Sequence, residues 1–133
     1  MKQVKDAMSA LNAMVGPTHT LRQASEKMVQ HHTGAAVVMD HDLPGPCVIT
    51  ERDLLKALAS GMDVDSEVVG DHMTGSLITA APEWPLQAAA DQMVRHGIRH
   101  VLVFEGPELV GILSMRDVIR VGGLADGAGS GAA

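Results

Sequence analysis

The stretch Gly111-Ile112-Leu113-Ser114-Met115-Arg116-Asp117 has a near copy earlier in the chain, Cys47-Val48-Ile49-Thr50-Glu51-Arg52-Asp53. In both copies an aliphatic run leads into a hydroxyl residue, which is followed by an Arg-Asp pair. Aliphatic residues of this kind favour a buried strand, and a hydroxyl residue at the end of a strand can cap a following helix. The sequence therefore predicts the same strand-to-helix junction twice.

The similarity extends over most of the chain. Two further pairs of blocks match at an offset of 65 residues: Leu21–Ala24 with Leu86–Ala89, and Met28–His31 with Met93–His96. The junction itself repeats at an offset of 64, so one residue has been lost in Asp40–Pro46 or Glu105–Glu108. Those stretches contain Gly, Pro and Asp and are typical of hairpin turns, where a change of length costs little. These matches indicate an internal duplication.

Each copy predicts the element order β-α-β-β-α. Leu21, Ala24 and Met28 share one helical face, as do Leu86, Ala89 and Met93, and the predicted helices begin at Thr20 and Pro85. The other elements predicted for the first copy are strands at Ala13–Val15, Ala35–Met39 and Cys47–Thr50 and a closing helix at Glu51–Ser60. Those predicted for the second copy are strands at Leu77–Thr79, His100–Phe104 and Leu109–Leu113 and a closing helix at Met115–Val121. Gly61 and Gly122 are the predicted stops of the closing helices.

The predicted organisation is one repeat over residues 1–62, a second over 63–122, and a Gly/Ala/Ser-rich tail over 123–133 that we expect to be disordered. The segment Val64–His72 links the repeats and is expected to carry a further helical turn. A unit of about 60 residues is marginally stable alone. We therefore expect an α+β fold, built from α/β units, in which the two repeats pack sheet-to-sheet about a pseudo-twofold axis.

Composition excludes several classes of function. The formal charge of −6 opposes a nucleic-acid partner, and Trp84 and Phe104 are the only aromatic residues available for base stacking. The single cysteine, Cys47, cannot form an intramolecular disulfide. No window approaches a membrane span, and the first residues lack the apolar core of a signal peptide. The sequence predicts a soluble cytoplasmic protein with no membrane partner.

The repeated junction has two interpretations. In the functional one, free backbone N–H groups at the helix start favour an anion, the aspartate accepts hydrogen bonds from a ribose diol, and Arg52 or Arg116 meets a phosphate. In the structural one, Thr50 and Ser114 are plain helix caps and the Arg-Asp pairs are surface charges. The occurrence of the junction in both copies favours a ligand site.

At this point the sequence resembles the CBS-domain family over about residues 4–121. The family's Gly-apolar-apolar-Ser/Thr-x-x-Asp motif is complete in Gly111–Asp117, whereas the first copy departs from it with Cys47 in place of glycine. Val4–Met8 and Val69–Met73 are similar to the opening segments of the family. His96–Val103 is similar to its second strand, and Arg99-His100 to the basic pair that meets phosphates in nucleotide-binding members.

The resemblance implies two ligand clefts, each combining the Ser/Thr and Asp of one copy with the opening strand of the other. The residues implied for the Asp117 cleft are Ser114, Arg116, Asp117, Arg99, His100, Ser9 and Ala13. Those implied for the second, weaker cleft are Thr50, Arg52, Asp53, Gly34, Ala35, Thr74 and Ile78. The Asp117 cleft is favoured because its motif is complete and because Gly34 replaces Arg99 in the other cleft.

The resemblance further implies a regulatory module that senses energy state or a metabolite through AMP, ADP or ATP. S-Adenosylmethionine and NAD(H) rank lower as ligands, no cofactor is required, and no catalysis is expected. The alternative is a ligand-independent, homodimeric interaction or stress-response protein with the same fold. A homodimer is expected because the helical faces formed by Leu54, Leu55, Leu58, Val118 and Ile119 are apolar. A protein effector of unknown identity is also expected.

A metal site, a reactive cysteine and enzymatic catalysis have weaker support in the sequence. The seven histidines lack the spacing of metal ligands: His31 and His32 are adjacent and point apart on a helix, so no metal site is expected. No activating arrangement surrounds Cys47, which favours a buried, unreactive thiol. His100 has no nucleophile paired with it and so does not indicate an enzyme.

Overall fold

The computed structural model describes residues 1–11, 13–75 and 78–123, which form two compact units. The first contains residues 1–11 and 78–123 and is called the Asp117 unit. The second contains residues 13–75 and is called the Asp53 unit. The opening eleven residues, which begin the first sequence repeat, therefore belong to the unit that contains the second copy of the motif.

The Asp53 unit is a three-stranded sheet with two helices. Strand β1 is parallel to β2, and β2 is antiparallel to β3, in the order β1-β2-β3. Its elements are β1 Met14–Val15, α1 Leu21–Gln30, β2 Ala35–Val38, β3 Cys47–Thr50, α2 Glu51–Ala59 and a 3₁₀ turn at Val69–Asp71. The helical turn expected in the linker is confirmed by the 3₁₀ turn.

The Asp117 unit repeats this plan, with the order β4-β5-β6. Its elements are a 3₁₀ turn at Val4–Asp6, β4 Thr79–Ala80, α3 Leu86–His96, β5 His100–Glu105, β6 Glu108–Ser114, α4 Met115–Val118 and a π-helical turn at Ile119–Gly123. Strand β4 is parallel to β5, and β5 is antiparallel to β6. The predicted fold class, two β-α-β-β-α repeats with small sheets and helices, is confirmed.

Local signals in the sequence set the helix starts and the buried faces. The Thr20 side chain accepts a hydrogen bond from the Gln23 N–H, and the Gln23 side chain accepts one from the Thr20 N–H, which closes a capping box. Leu21, Ala24 and Met28 are buried, so the predicted helical face is confirmed. All four residues of β2 are buried, as expected for an uninterrupted aliphatic strand.

The duplication is visible in the strand register. Ala35 lies opposite Thr50 in the first sheet, and His100 lies opposite Ser114 in the second. The β2–β3 connection covers residues 39–46, whereas Gly106 and Pro107 alone connect β5 to β6, with a bulge at Val103/Phe104. The one-residue difference between the copies therefore lies in the hairpin, as predicted.

The closing helix of the second copy differs from its prediction. The expected helix over Met115–Val121 is wrong, because α-helical geometry ends at Val118 and a π-helical turn continues to Gly123. Gly122 is consequently not the stop. It is buried against α3, where a Cβ atom at Gly122 would lie 2.7 Å from Leu86 Cδ2. The glycine thus allows the turn to pack on Leu86. The predicted tail beyond residue 123 lies outside the described residues.

The other glycine stop is confirmed. Gly61 follows α2 and its cap residue Ser60, and it adopts a φ of +78°, which a glycine tolerates at a helix end. Pro85, expected in the first turn of α3, is instead the residue just before it.

Each unit has its own aliphatic core. The core of the Asp117 unit includes Val4 from the opening segment, and that of the Asp53 unit includes Val69 from the linker, both with no exposed surface. The opening segments Val4–Met8 and Val69–Met73 therefore each insert a buried valine into the core of their unit. Over residues 1–11, 13–75 and 78–123, no helix has both the length and the apolarity needed to cross a membrane.

Candidate functional site

The two strand-to-helix junctions have nearly the same hydrogen bonds. Ser114 Oγ accepts from the Asp117 N–H at 3.0 Å, and Asp117 Oδ2 accepts from the Ser114 N–H at 3.1 Å. Thr50 and Asp53 form the same pair of bonds, at 3.3 and 2.9 Å. Both hydroxyl residues are therefore helix caps. Since capping occurs in both copies, other features of each site must decide whether it suits a ligand.

The neighbouring strand places the basic pair at the Asp117 junction. His100 lies directly opposite Ser114, and the carbonyl oxygen of Arg99 accepts a hydrogen bond from the Met115 N–H at 2.8 Å. In the Asp53 unit, the carbonyl oxygen of Gly34 accepts from the Glu51 N–H at the same distance. Arg99 and Gly34 thus occupy equivalent positions in the two units, as expected from the comparison of the two implied clefts.

An opening segment joins each junction through a two-bond bridge. The Ser9 N–H donates to the Ile112 carbonyl at 2.9 Å, and the Ile112 N–H donates to the Ser9 carbonyl at 3.0 Å. Thr74 and Val48 form the corresponding bonds at 2.9 and 3.2 Å. Ser9 and Thr74 therefore lie next to the motifs to which the resemblance assigned them.

Gly111 leaves room for the first of these bridges. A Cβ atom at this position would lie 2.9 Å from the Ser9 carbonyl oxygen and 3.0 Å from Met8 Sδ. Real side chains do not tolerate the first of these distances, and a backbone oxygen held by the bridge cannot easily move away. The glycine of the motif thus lets the opening segment approach the strand closely.

Cys47 replaces that glycine without removing the second bridge. Its side chain is buried, and its Sγ would lie 3.9 Å from a Cβ atom at Gly75, the residue after Thr74. The bridge between Thr74 and Val48 nevertheless forms, with one bond 0.2 Å longer than its counterpart (3.2 against 3.0 Å).

The two junctions differ most in charge. Arg99 and Arg116 are exposed, and among the described residues neither has an ion pair. At the Asp53 junction Arg52 is the counterpart of Arg116, and the Glu51 carboxylate occupies the space that a Cβ atom at Gly34 would fill. Both junctions therefore have one arginine in the motif, but the Asp117 junction has Arg99 where the Asp53 junction has the Glu51 carboxylate beside Gly34.

Most implied site residues share a unit with their aspartate. The Asp117 unit contains Ser9, Arg99, His100, Ser114, Arg116 and Asp117. The Asp53 unit contains Gly34, Ala35, Thr50, Arg52, Asp53 and Thr74. Ala13 belongs to the Asp53 unit, where it is 6% exposed, and Ile78 is half-buried in the Asp117 unit. Their roles in the opposite clefts stay predictions.

One residue at the Asp117 junction was missed by the sequence reasoning. Arg120 Nη2 donates to Asp117 Oδ1 at 3.1 Å. The signal was present in the sequence, since an acidic and a basic residue three positions apart on a helix lie on the same face.

In the described part of the chain, no group of three or more His, Cys, Asp or Glu side chains could hold a metal ion.

Comparison with known proteins identifies the family. The CBS-domain family model matches residues 4–60 and again 69–123. The chain is 33% identical to the CBS domain-containing protein YhcV of Bacillus subtilis over 120 residues, covering 89% of this chain and 84% of YhcV. The chain therefore belongs to the CBS-domain family and contains a tandem pair of these domains.

Solved structures of CBS-domain proteins have the same fold. The CBS domain protein PAE2072 from Pyrobaculum aerophilum, solved in complex with AMP, is similar with a TM-score of 0.75 and 34% identity, covering 87% of this chain and 89% of that one. The CBS domain pair of protein MJ0100, solved with 5′-methylthioadenosine and S-adenosyl-L-methionine, is similar with a TM-score of 0.81 and 25% identity, covering 94% and 98%.

Proposed function

We propose that the chain is a cytoplasmic regulatory module that binds an adenosine nucleotide of the AMP, ADP or ATP type at the Asp117 junction, without catalysis of its own. The main support for this proposal is a cluster of basic residues at one end of the sheet. Arg99, His100 and Arg116 lie at the end where Ser114 and Asp117 form their capping box. Through this module, nucleotide occupancy would report energy state to a protein effector.

The chemistry of these groups suits the parts of a nucleotide. A carboxylate can accept two hydrogen bonds from a ribose diol, and an arginine guanidinium can bind phosphate oxygens in a bidentate manner. Arg99 and Arg116 have no ion pair among the described residues, so neither must give up a partner to bind phosphate. The AMP bound to PAE2072 and the adenosyl ligands of MJ0100 support this class of ligand.

The Asp53 junction is the weaker site in this proposal. Glu51 places a carboxylate against Gly34, at the position where the other copy has Arg99. A phosphate there would meet the Glu51 carboxylate as well as Arg52, with glycine in place of Arg99. We therefore propose one high-affinity nucleotide site per chain, with S-adenosylmethionine or NAD(H) as less favoured ligands.

Calorimetric titration and thermal melting test this proposal with AMP, ADP, ATP, NADH and S-adenosylmethionine. A ligand at 100 times its dissociation constant should stabilise the fold by about 2.7 kcal/mol. Asp117→Asn keeps an oxygen that can accept from the Ser114 N–H but removes the charge, and it should abolish most of the shift. Asp53→Asn is the matched control and should retain the shift. Absence of a shift with every adenosyl ligand at millimolar concentration would refute nucleotide binding.

A second candidate function, a ligand-independent homodimer, is favoured by exposed apolar side chains. Leu55 and Leu58 on α2 are 66% and 57% exposed. The expected apolar face is narrower than predicted, since Leu54 is half-buried against the core and Val118 is buried, although Ile119 remains 48% exposed. Sedimentation of wild type and a Leu55→Glu/Leu58→Glu variant tests this candidate. A wild-type monomer at high micromolar concentration would contradict it.

A further inference from the structure

Both carboxylate oxygens of Asp117 already have partners within the protein. Oδ2 accepts from the Ser114 N–H, and Oδ1 accepts from Arg120 Nη2, each at 3.1 Å. The Asp117 side chain is 16% exposed and the Arg120 side chain 62% exposed. The Arg120 guanidinium thus covers the oxygen of Asp117 that is not used for capping, while its own side chain remains largely in solvent.

The other copy lacks this contact. Lys56 occupies the position equivalent to Arg120, and within the described residues it forms no ion pair with Asp53. The Thr50 hydroxyl instead donates to Asp53 Oδ2 at 3.0 Å. The Arg120 contact is therefore a property of the Asp117 junction, where the chain also leaves α-helical geometry after Val118.

We propose that Arg120 makes the Asp117 site select phosphorylated over unphosphorylated adenosine, an inference that rests on the proposed function. A ribose diol that bonds to Asp117 Oδ1 competes with the guanidinium for the same oxygen. Adenosine has no group that compensates Arg120 for the lost ion pair. A nucleotide supplies a phosphate, to which an exposed and flexible arginine can transfer its hydrogen bonds.

The test compares Arg120→Gln with wild type by calorimetric titration of adenosine and of AMP. Glutamine keeps most of the length of the side chain and removes its charge. Because exposed ion pairs are weak, loss of this pair should tighten adenosine binding by about two- to fivefold. AMP binding should be unchanged or weaker, so the preference for AMP over adenosine should fall. Lys56→Gln is the matched control and should leave that preference unchanged.

The outcomes separate this inference from the proposed function. If wild type binds AMP and the variant shows the same preference, or loses affinity for adenosine and AMP alike, Arg120 is not a selectivity residue and nucleotide binding stands. If neither protein binds adenosine or AMP, the inference about Arg120 fails. The proposed function fails as well if wild type also binds neither ADP nor ATP. If only the variant binds adenosine, the inference is supported. A melting temperature close to that of wild type shows that the exposed substitution has not unfolded the protein.

Discussion

Gly111 lies so close to Ser9 that a Cβ atom at Gly111 would be 2.9 Å from the Ser9 carbonyl oxygen. This contact accounts for the glycine at the first position of the motif in the second copy, whereas the first copy forms its bridge with Cys47 there. It also shows how a segment at the start of the chain becomes part of the Asp117 junction, more than a hundred residues further along the sequence. The bridge between Ser9 and Ile112 depends on this close approach.

Gly111→Ala should therefore destabilise the protein. The added methyl group must displace a hydrogen-bonded backbone segment, and overpacking of this kind costs about 1–3 kcal/mol. Chemical denaturation measures the loss of unfolding free energy. Gly45→Ala is the matched control, because a Cβ atom at Gly45 would have no atom within 4 Å. Equal stability of the two variants would mean that the opening segment can move away from the strand without cost.

Arg99→Gln should weaken AMP binding by about tenfold or more, since a hydrogen bond to a charged group contributes about 1.5–3 kcal/mol. It should weaken adenosine binding much less, because adenosine has no phosphate. Arg52→Gln is the control at the other junction, where Glu51 opposes a phosphate. Calorimetric titration at low and moderate salt measures both ligands. An equal loss of affinity for AMP and adenosine would show that Arg99 does not meet the phosphate.

Thr50→Ala should destabilise the protein by about 1 kcal/mol, the usual cost of removing a hydroxyl cap. The Thr50 hydroxyl both accepts from the Asp53 N–H and donates to Asp53 Oδ2, so two contacts are lost. Thr50→Ser keeps the hydroxyl and should restore most of the stability in denaturation experiments. A Thr50→Ser protein no more stable than Thr50→Ala would assign the effect to the lost methyl group instead.

The sequence predicted elements that depend on neighbouring residues better than contacts that depend on distant ones. Strand β3 matches its predicted range of Cys47–Thr50, and Thr20 caps α1 as expected, because aliphatic runs and capping residues act locally. The end of α4 was predicted wrongly, because the chain continues after Val118 as a π-helical turn whose Gly122 packs against Leu86, far away in the sequence. Patterns of neighbouring residues give no information about a contact between residues so far apart in the sequence.

In the candidate site, too, positions within each copy were easier to predict than contacts between side chains. The comparison of the two clefts implied by the family resemblance placed Gly34 where the other copy has Arg99, and the strand register agrees with that equivalence. The sequence did not reveal that Glu51 lies against Gly34, since that contact requires the backbone geometry of the junction. The unequal charge of the two junctions therefore became fully apparent only in the structure.

An ion pair within the Asp53 unit, between Arg22 of α1 and Asp65, makes stability depend on pH. The Arg22 guanidinium forms two hydrogen bonds with Asp65, one of them from Nη2 to Oδ2 at 3.2 Å. The hydrogen bond from Arg22 and its positive charge hold the pKa of Asp65 below its usual range. Because the folded-state pKa is depressed, the stability it contributes is present above the unfolded-state pKa and is lost as pH falls through the folded-state pKa.

Asp65→Asn should therefore lower the melting temperature at about pH 7, where the carboxylate is charged in both states. It should have little effect at an acidic pH below the folded-state pKa, where the carboxyl group is protonated. The effect should be small and should decrease with salt, because both side chains are more than half exposed. Asp63→Asn, at a nearby acidic residue with no ion pair among the described residues, is the control. A difference between wild type and Asp65→Asn that is the same at both pH values would show that the charge of Asp65 contributes nothing.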